Sequence, residues 1–290
     1  MKARKTLTWA TALIIVPSLG FFGANAKADI LAGASGGVVT SVDLSVVGGT
    51  SASSTIGQLD EISPPPYDED LTAIDLTASH TSALIDLFAQ SGTGEISAFS
   101  DVDGLPGART VNAVVTIEDF SFEALTVAPG LPLAEPLITL DIGGDNAVIN
   151  SFVSITGSSE FNLTIAGDST LLGLSLTVDG DPLDLSALVD GDGKAAPNTV
   201  ILPGVTGLAG LTITLNEQIE LGDGITSFGR QVSAVHLNFD DVDVGGGLGL
   251  INGDVYIAQT YALVTVPEPS TGLILALTGL FFGFARRKRR

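Results

Sequence analysis

Apolar and polar residues alternate with a period of two along much of the chain. Val111, Ala113, Val115 and Ile117 interleave with Asn112, Val114 and Thr116. Leu172, Leu174, Leu176 and Val178 interleave with Gly173, Ser175 and Thr177. Leu211, Ile213 and Leu215 enclose two threonines, and Val235, Leu237 and Phe239 enclose His236 and Asn238. Phe161, Leu163 and Ile165 follow the same rule. Alternation of this length predicts strands with one buried face. Further strands are expected at Val38–Val47, Leu71–Thr77, Glu95–Asp101, Leu137–Ile142, Ile149–Ile155 and Asp254–Val264. Their wealth of Val, Ile and Thr suits a pleated, half-buried surface.

Turn residues separate these runs. Asp103-Gly104, Asp179-Gly180-Asp181-Pro182, Asp190-Gly191-Asp192-Gly193 and Asp223-Gly224 are turn signals, and Ser63-Pro64-Pro65-Pro66-Tyr67 reads as a loop. Only Ser82–Phe88 and Leu183–Val189 suggest a short helix or a loop turn. Without a helix long enough for a crossover, a parallel doubly wound sheet is excluded. The expected fold is therefore all-β: one β-sandwich or jelly-roll-like domain over residues 29–262. A β-helix is the alternative, though no fixed internal period supports it.

The ends read differently. Lys2, Arg4 and Lys5 precede an apolar run from Leu7 to Phe22, and then come Ala24-Asn25-Ala26 and Ala26-Lys27-Ala28. This order predicts a secretory signal peptide over residues 1–28, cut by signal peptidase after Ala28 or after Ala26. Residues 263–290 form a second non-globular segment. Pro267, Glu268 and Pro269 precede the apolar stretch Gly272–Ala285, and Arg286, Arg287, Lys288, Arg289 and Arg290 close the chain. As a helix the apolar stretch would be about 21 Å long, a short membrane span that needs local thinning or snorkelling of its basic flank. The terminal cations stay cytoplasmic, which places the body on the far side of the membrane. Two prolines keep the preceding segment extended, a form that a protease cleft can hold.

Charge sharpens this division. Of 12 Lys and Arg, only Arg109, Lys194 and Arg230 lie between Asp29 and Glu268, where all 33 acids fall. That region carries three cations against 33 acids, a net charge of −30. Nucleic-acid binding is excluded, because phosphate contacts need clustered cations. Cysteine is absent, which excludes disulfides, thiolate metal sites and thiol nucleophiles. With 45% hydrophobic and 16% charged residues the body can build a core and is not a disordered acidic tail.

Candidate chemistry is sparse. Gly33-Ala34-Ser35-Gly36-Gly37 matches the nucleophile-elbow pattern in form, but its place among glycines near the expected mature N-terminus predicts a flexible small-residue leader. His80 and His236 read as polar-face residues without evident partners. Asp190, Asp192, Asp240, Asp241 and Asp243 could offer hard oxygen ligands to Ca2+, yet none completes a Ca2+ loop, and Lys194 falls where a third ligand would sit. No cofactor is expected beyond this weak Ca2+ option. Glu118-Asp119 and Glu217/Glu220 are carboxylate pairs of the kind that abundant acids produce by chance, and the body has no Trp to form a sugar platform.

The order Pro-Glu-Pro, apolar segment, terminal Arg/Lys cluster resembles the PEP-CTERM protein-sorting domain. The resemblance implies that the tail holds an exported protein in the inner membrane until an exosortase cuts near Pro267–Pro269. On that reading Arg286–Arg290 are the membrane stop, and the catalytic residues belong to the processing enzyme. A second succession, Ala196–Gly204, Leu211–Gln218, Val232–Leu237 and Gly253–Ala258, resembles the choice-of-anchor P family of exported bacterial proteins over roughly Asp179–Ala262. It implies surface association and no particular activity. The expectation is a structural or adhesive protein of the cell surface or extracellular matrix, not an enzyme. Signal peptidase, exosortase, the membrane and an exopolysaccharide are its expected partners. The alternatives are a Ca2+- or polysaccharide-binding module and, behind it, a secreted hydrolase using Ser35 or a carboxylate pair.

Overall fold

The alternating runs pair as antiparallel neighbours throughout. The structure, a computed structural model, describes residues 30, 32–47, 51–61, 66–81, 86–125, 137–142, 147–158, 162–206, 208–243 and 249–266. Its strands are β1 Ala32–Val46, β2 Ser51–Glu61, β3 Tyr67–Thr81, β4 Asp86–Ser100, β5 Arg109–Leu125, β6 Ile138–Ile142 and β7 Val148–Gly157. Then follow β8 Thr164–Leu172, β9 Leu174–Val178, β10 Asp181–Pro182, β11 Thr199–Ile201, the single helical turn α1 Pro203–Thr206, β12 Leu211–Leu221, β13 Ser227–Asp243 and β14 Leu250–Thr265.

One sheet has the order β11-β12-β13-β14-β1-β2. The other has the order β10-β9-β6-β5-β4-β3, with β7 on β5 and β8 on β7. β6 and β7 share one edge of the long β5: β7 pairs with Arg109–Ile117 and β6 with Ser121–Ala124. β8 and β9 continue the next column in the same way, joined at Gly173, where φ is 74°. The alternation across Leu172–Val178 is therefore one column broken at its glycine rather than a single strand. All described pairs are antiparallel, which rules out the β-helix. Neighbouring strands follow the chain as a meander, and β14 joins β1 to close the first sheet. Among the described residues no strand makes the Greek-key return of a jelly roll, and the described strands form a meander.

Two sequence expectations are corrected. Gly33–Gly37 is no leader but the first part of β1, paired throughout with β14 and from Ser35 onward also with β2. The glycines stand where the sheets come close. A Cβ on Gly33 would lie 2.5 Å from Val111 Cγ2, and one on Gly37 would lie 2.5 Å from Val115 Cγ2. Of the helical candidates, Leu183–Val189 is a turn, with the Leu188 and Val189 N–H groups donating to Leu185 O. Asp86–Phe88 belongs to β4 instead, where pairing with β3 and β5 absorbs its backbone hydrogen bonds.

The in–out phase of the first sheet flips along a transverse row. Asn216, Ala234, Ala258, Val39 and Gly57 interrupt the paired ladders of five successive strands. Asn216, Ala258 and Gly57 have φ of 49°, 49° and 55°. On β14, Val255 and Ile257 are buried before the row, and Thr260, Ala262 and Val264 after it. The flip divides the core in two. A large cluster includes Ile96, Phe120, Phe122, Leu140, Leu237 and Phe239; a smaller one includes Ile30, Val102, Val111, Val153, Val264 and Val266.

Candidate functional site

The smaller cluster lies at the end of the sandwich where the chain leaves for Pro267. Ala32 pairs with Thr265, and Ser227 pairs with Thr265 from the other side. β14 thus continues past Ala262, the expected end of the body, to Thr265. The Val266 N–H donates to Thr226 O at 2.8 Å, and Val266 is buried beside Ile30 in the same cluster. Ile30 and Val266, the first and last described residues, therefore lie together at one end. Ala26 and Ala28, the motif Pro267–Glu268–Pro269, the apolar stretch Gly272–Ala285 and Arg286–Arg290 lie outside the described residues. No helix among the described residues is long and apolar enough to cross a membrane.

Ser35 is fully buried on β1. Its Oγ lies 2.9 Å from Tyr67 Oη, inside a strand rather than on a strand–turn–helix elbow. His80 sits on β3 opposite Leu87. Two of the acids considered for Ca2+, Asp190 and Asp241, are occupied locally. Asp190 Oδ1 accepts from the N–H groups of Asp192 and Lys194. Asp241 has φ 53° at the irregularity that separates Phe239 from Val242 on β13. It exchanges two hydrogen bonds with Asn252, both of 2.9 Å. Among the described residues no three His, Asp or Glu side chains converge on a metal position. All three body cations are paired: Arg109 with Asp103, Lys194 with Asp168 at 3.0 Å, and Arg230 with Glu220.

Sequence reasoning missed one cluster. On the outer face of the first sheet, His236 Nδ1 lies 2.9 Å from Glu217 Oε1 and Nε2 lies 2.9 Å from Asp254 Oδ1. Tyr256 stacks on the imidazole at 4.2 Å between centroids, and Asn238 Nδ2 donates to the same Asp254 oxygen. Strand register alone brings β12, β13 and β14 residues together here, and sequence spacing carries no trace of it. Burial works against charging the imidazole, but hydrogen bonds and attraction from the two carboxylates outweigh it, and the His236 pKa is raised. The Tyr256 hydroxyl is pushed up to about 12 by burial and by the same carboxylates.

The sign of the resulting pH effect follows. A raised folded-state pKa contributes stability that is complete below the unfolded value near 6.5 and is lost as pH rises through the folded value. The stability difference between wild type and His236→Gln should therefore be largest below the unfolded value near 6.5 and shrink as pH rises through the higher folded value. Urea titrations of both proteins across that range check it. A difference that stays constant would mean that the imidazole is not charged in the folded state.

Comparison with known proteins decides the tail. Residues 265–290 match the PEP-CTERM protein-sorting motif. The motif indicates an exported protein that is sorted through the membrane and processed by an exosortase. No curated protein and no solved structure gives a significant match to the chain. The PEP-CTERM match begins at position 265, the last residue of β14, so sorting signal and sandwich abut without a linker.

Proposed function

We propose that the chain is an acidic β-sandwich cargo. It is exported through its signal peptide, held at the inner membrane by Gly272–Ala285, and severed near Pro267–Pro269 by an exosortase. The released body then serves at the cell surface or in the extracellular matrix as a structural or adhesive component and performs no catalysis. The PEP-CTERM match carries the proposal, and the directness of the junction supports it. On this reading the enzyme meets a cargo that is already folded up to the start of the sorting signal. The likeness of Asp179–Ala262 to the choice-of-anchor P proteins points the same way, toward surface association. With its three cations already paired, the released body carries a large excess of acids. Such an excess favours solubility and repulsion between copies, relieved by salt.

Intact-mass spectrometry of the protein from envelope and from medium tests the processing. In normal cells the released form should lack Arg286–Arg290. With the exosortase inactive, or in Glu268→Ala, the full tail should persist and the protein should stay with the inner membrane. Released protein that keeps Arg286–Arg290 would sink the proposal.

A further inference from the structure

Two loops at the end of the sandwich from which the tail departs share one construction, one on each sheet. Asp103-Gly104-Leu105 lies between β4 and β5, and Asp223-Gly224-Ile225 lies between β12 and β13. In both, the glycine has positive φ, 73° and 68°. In both, the aspartate Oδ1 accepts the N–H two residues on, at 3.0 Å from Leu105 and 2.9 Å from Ile225. In both, the aliphatic side chain stands out in solvent, Leu105 60% and Ile225 63% exposed.

These tips are held firmly. Asp223 also accepts from the N–H groups of Thr226 and Ser227 and from the Thr226 hydroxyl. Those bonds keep its carboxyl well below the usual range. Arg109 pairs with Asp103 and donates to Leu105 O at 3.2 Å. Each rigid turn presents a Leu or Ile side chain that is mostly exposed. The other three Asp-Gly pairs, at Asp179, Asp190 and Asp192, carry Asp181, Asp192 and Lys194 in the equivalent place.

The geometry points to a lipid surface as the partner: we infer that Leu105 and Ile225 seat this end of the sandwich on the bilayer interface while the tail is anchored. The inference rests on the membrane-held intermediate proposed above. Thr226, the neighbour of Ile225, accepts the Val266 N–H, so the Ile225 tip stands at the exit of the tail. From Val266 to Gly272 the chain spans at most roughly 20 Å even when fully extended. The interfacial layer on each face of a bilayer takes about 5–8 Å of that reach. Asp103 and Asp223, the acids of the two tips, are engaged with Arg109 and with their own turns. Two contact points, one per sheet, would hold the sandwich upright and fix the height of Pro267–Pro269.

The lack of cysteine allows a clean test. Single-cysteine variants of the signal-processed chain with its native tail are labelled with an environment-sensitive fluorophore. They are then reconstituted in vesicles of phosphatidylcholine, with or without phosphatidylglycerol, that contain shallow or deep spin-labelled lipids. Leu105→Cys and Ile225→Cys should show a blue shift and quenching by the shallow label. Val47→Cys and Leu202→Cys, each 61% exposed at the opposite end, should show neither. Leu280→Cys reports the anchor. If the deep label quenches it while positions 105 and 225 behave like 47 and 202, the docking inference is wrong and the anchoring stands. If Leu280→Cys is not quenched, the anchoring fails and docking falls with it. Shielding of 105 and 225 that appears only when exosortase-containing membranes are added would assign the tips to the enzyme and overturn the lipid inference.

Discussion

Gly37→Leu should cost about 3 kcal/mol or more and should leave little folded protein at 37 °C. Gly37 sits in the middle of β1, whose two neighbours β14 and β2 fix its backbone. Its inner side faces β5 and β4. A single added carbon would already lie 2.5 Å from Val115 Cγ2 and 3.2 Å from Ile96 Cγ2. Val115 and Ile96 are themselves fully buried, so neither can swing into solvent. Gly37→Ala should therefore lose about 1–3 kcal/mol, and Leu more. The cause is space, and a double-mutant cycle can show it. Gly37→Ala combined with Val115→Ala should be less damaging than the sum of the two, with a coupling of about 1 kcal/mol. Gly191→Ala is the control. Nothing lies within 4 Å of its would-be Cβ, so that change should be neutral or slightly stabilising. Urea midpoints at unchanged m-value report wild type and all five variants. A well-folded Gly37→Leu would mean that the sheets are not closely packed at β1.

The same glycines show where sequence reading stops. A run of Gly, Ala and Ser carries no hydrophobic period, so Gly33–Gly37 reads as a leader although β1 is an interior strand of its sheet. The missing information is the neighbour: Gly is chosen there because Val111 and Val115 come from the other sheet. Where both faces carry their own signal, as in Val111–Ile117 and Leu211–Leu215, strand and inward face were legible. The Asp-Gly turns were legible too, because positive φ at Gly104, Gly180 and Gly224 is a local demand. The tail was legible because its chemistry is linear: two prolines, an apolar stretch, a block of cations. The His236 cluster and the paired Leu105 and Ile225 tips were not. They arise from strands that register alone makes neighbours, and from loops that the meander alone gathers at one end.

Ala258 should prefer glycine to valine, the reverse of an ordinary strand position. Within a strand, Val is favoured over Ala and Gly is the poorest choice. Ala258 lies inside β14, is fully buried and has φ 49°. It stands in the row that flips the phase of the first sheet, beside Ala234 and Val39. A left-handed backbone costs an L-residue roughly 1–2 kcal/mol, while glycine gives up about 0.5–1 kcal/mol of unfolded-state freedom. Ala258→Gly should therefore fall between neutral and about 1 kcal/mol more stable. Ala258→Val places a branched Cβ where the left-handed region tolerates it least, and adds two methyl groups to a filled interior. Its expected cost is about 3 kcal/mol or more. The consequence reaches past one residue. If Val forced β14 back to an extended backbone at 258, Thr260, Ala262 and Val264 would turn outward together and the small core around Val266 would open. Amide hydrogen exchange should then show lost protection in β14 beyond 258, while Val255 and Ile257 keep theirs. Unchanged stability in Ala258→Val would mean that the phase flip is not made at this residue, and that the end of the sandwich beside Pro267 is held in some other way.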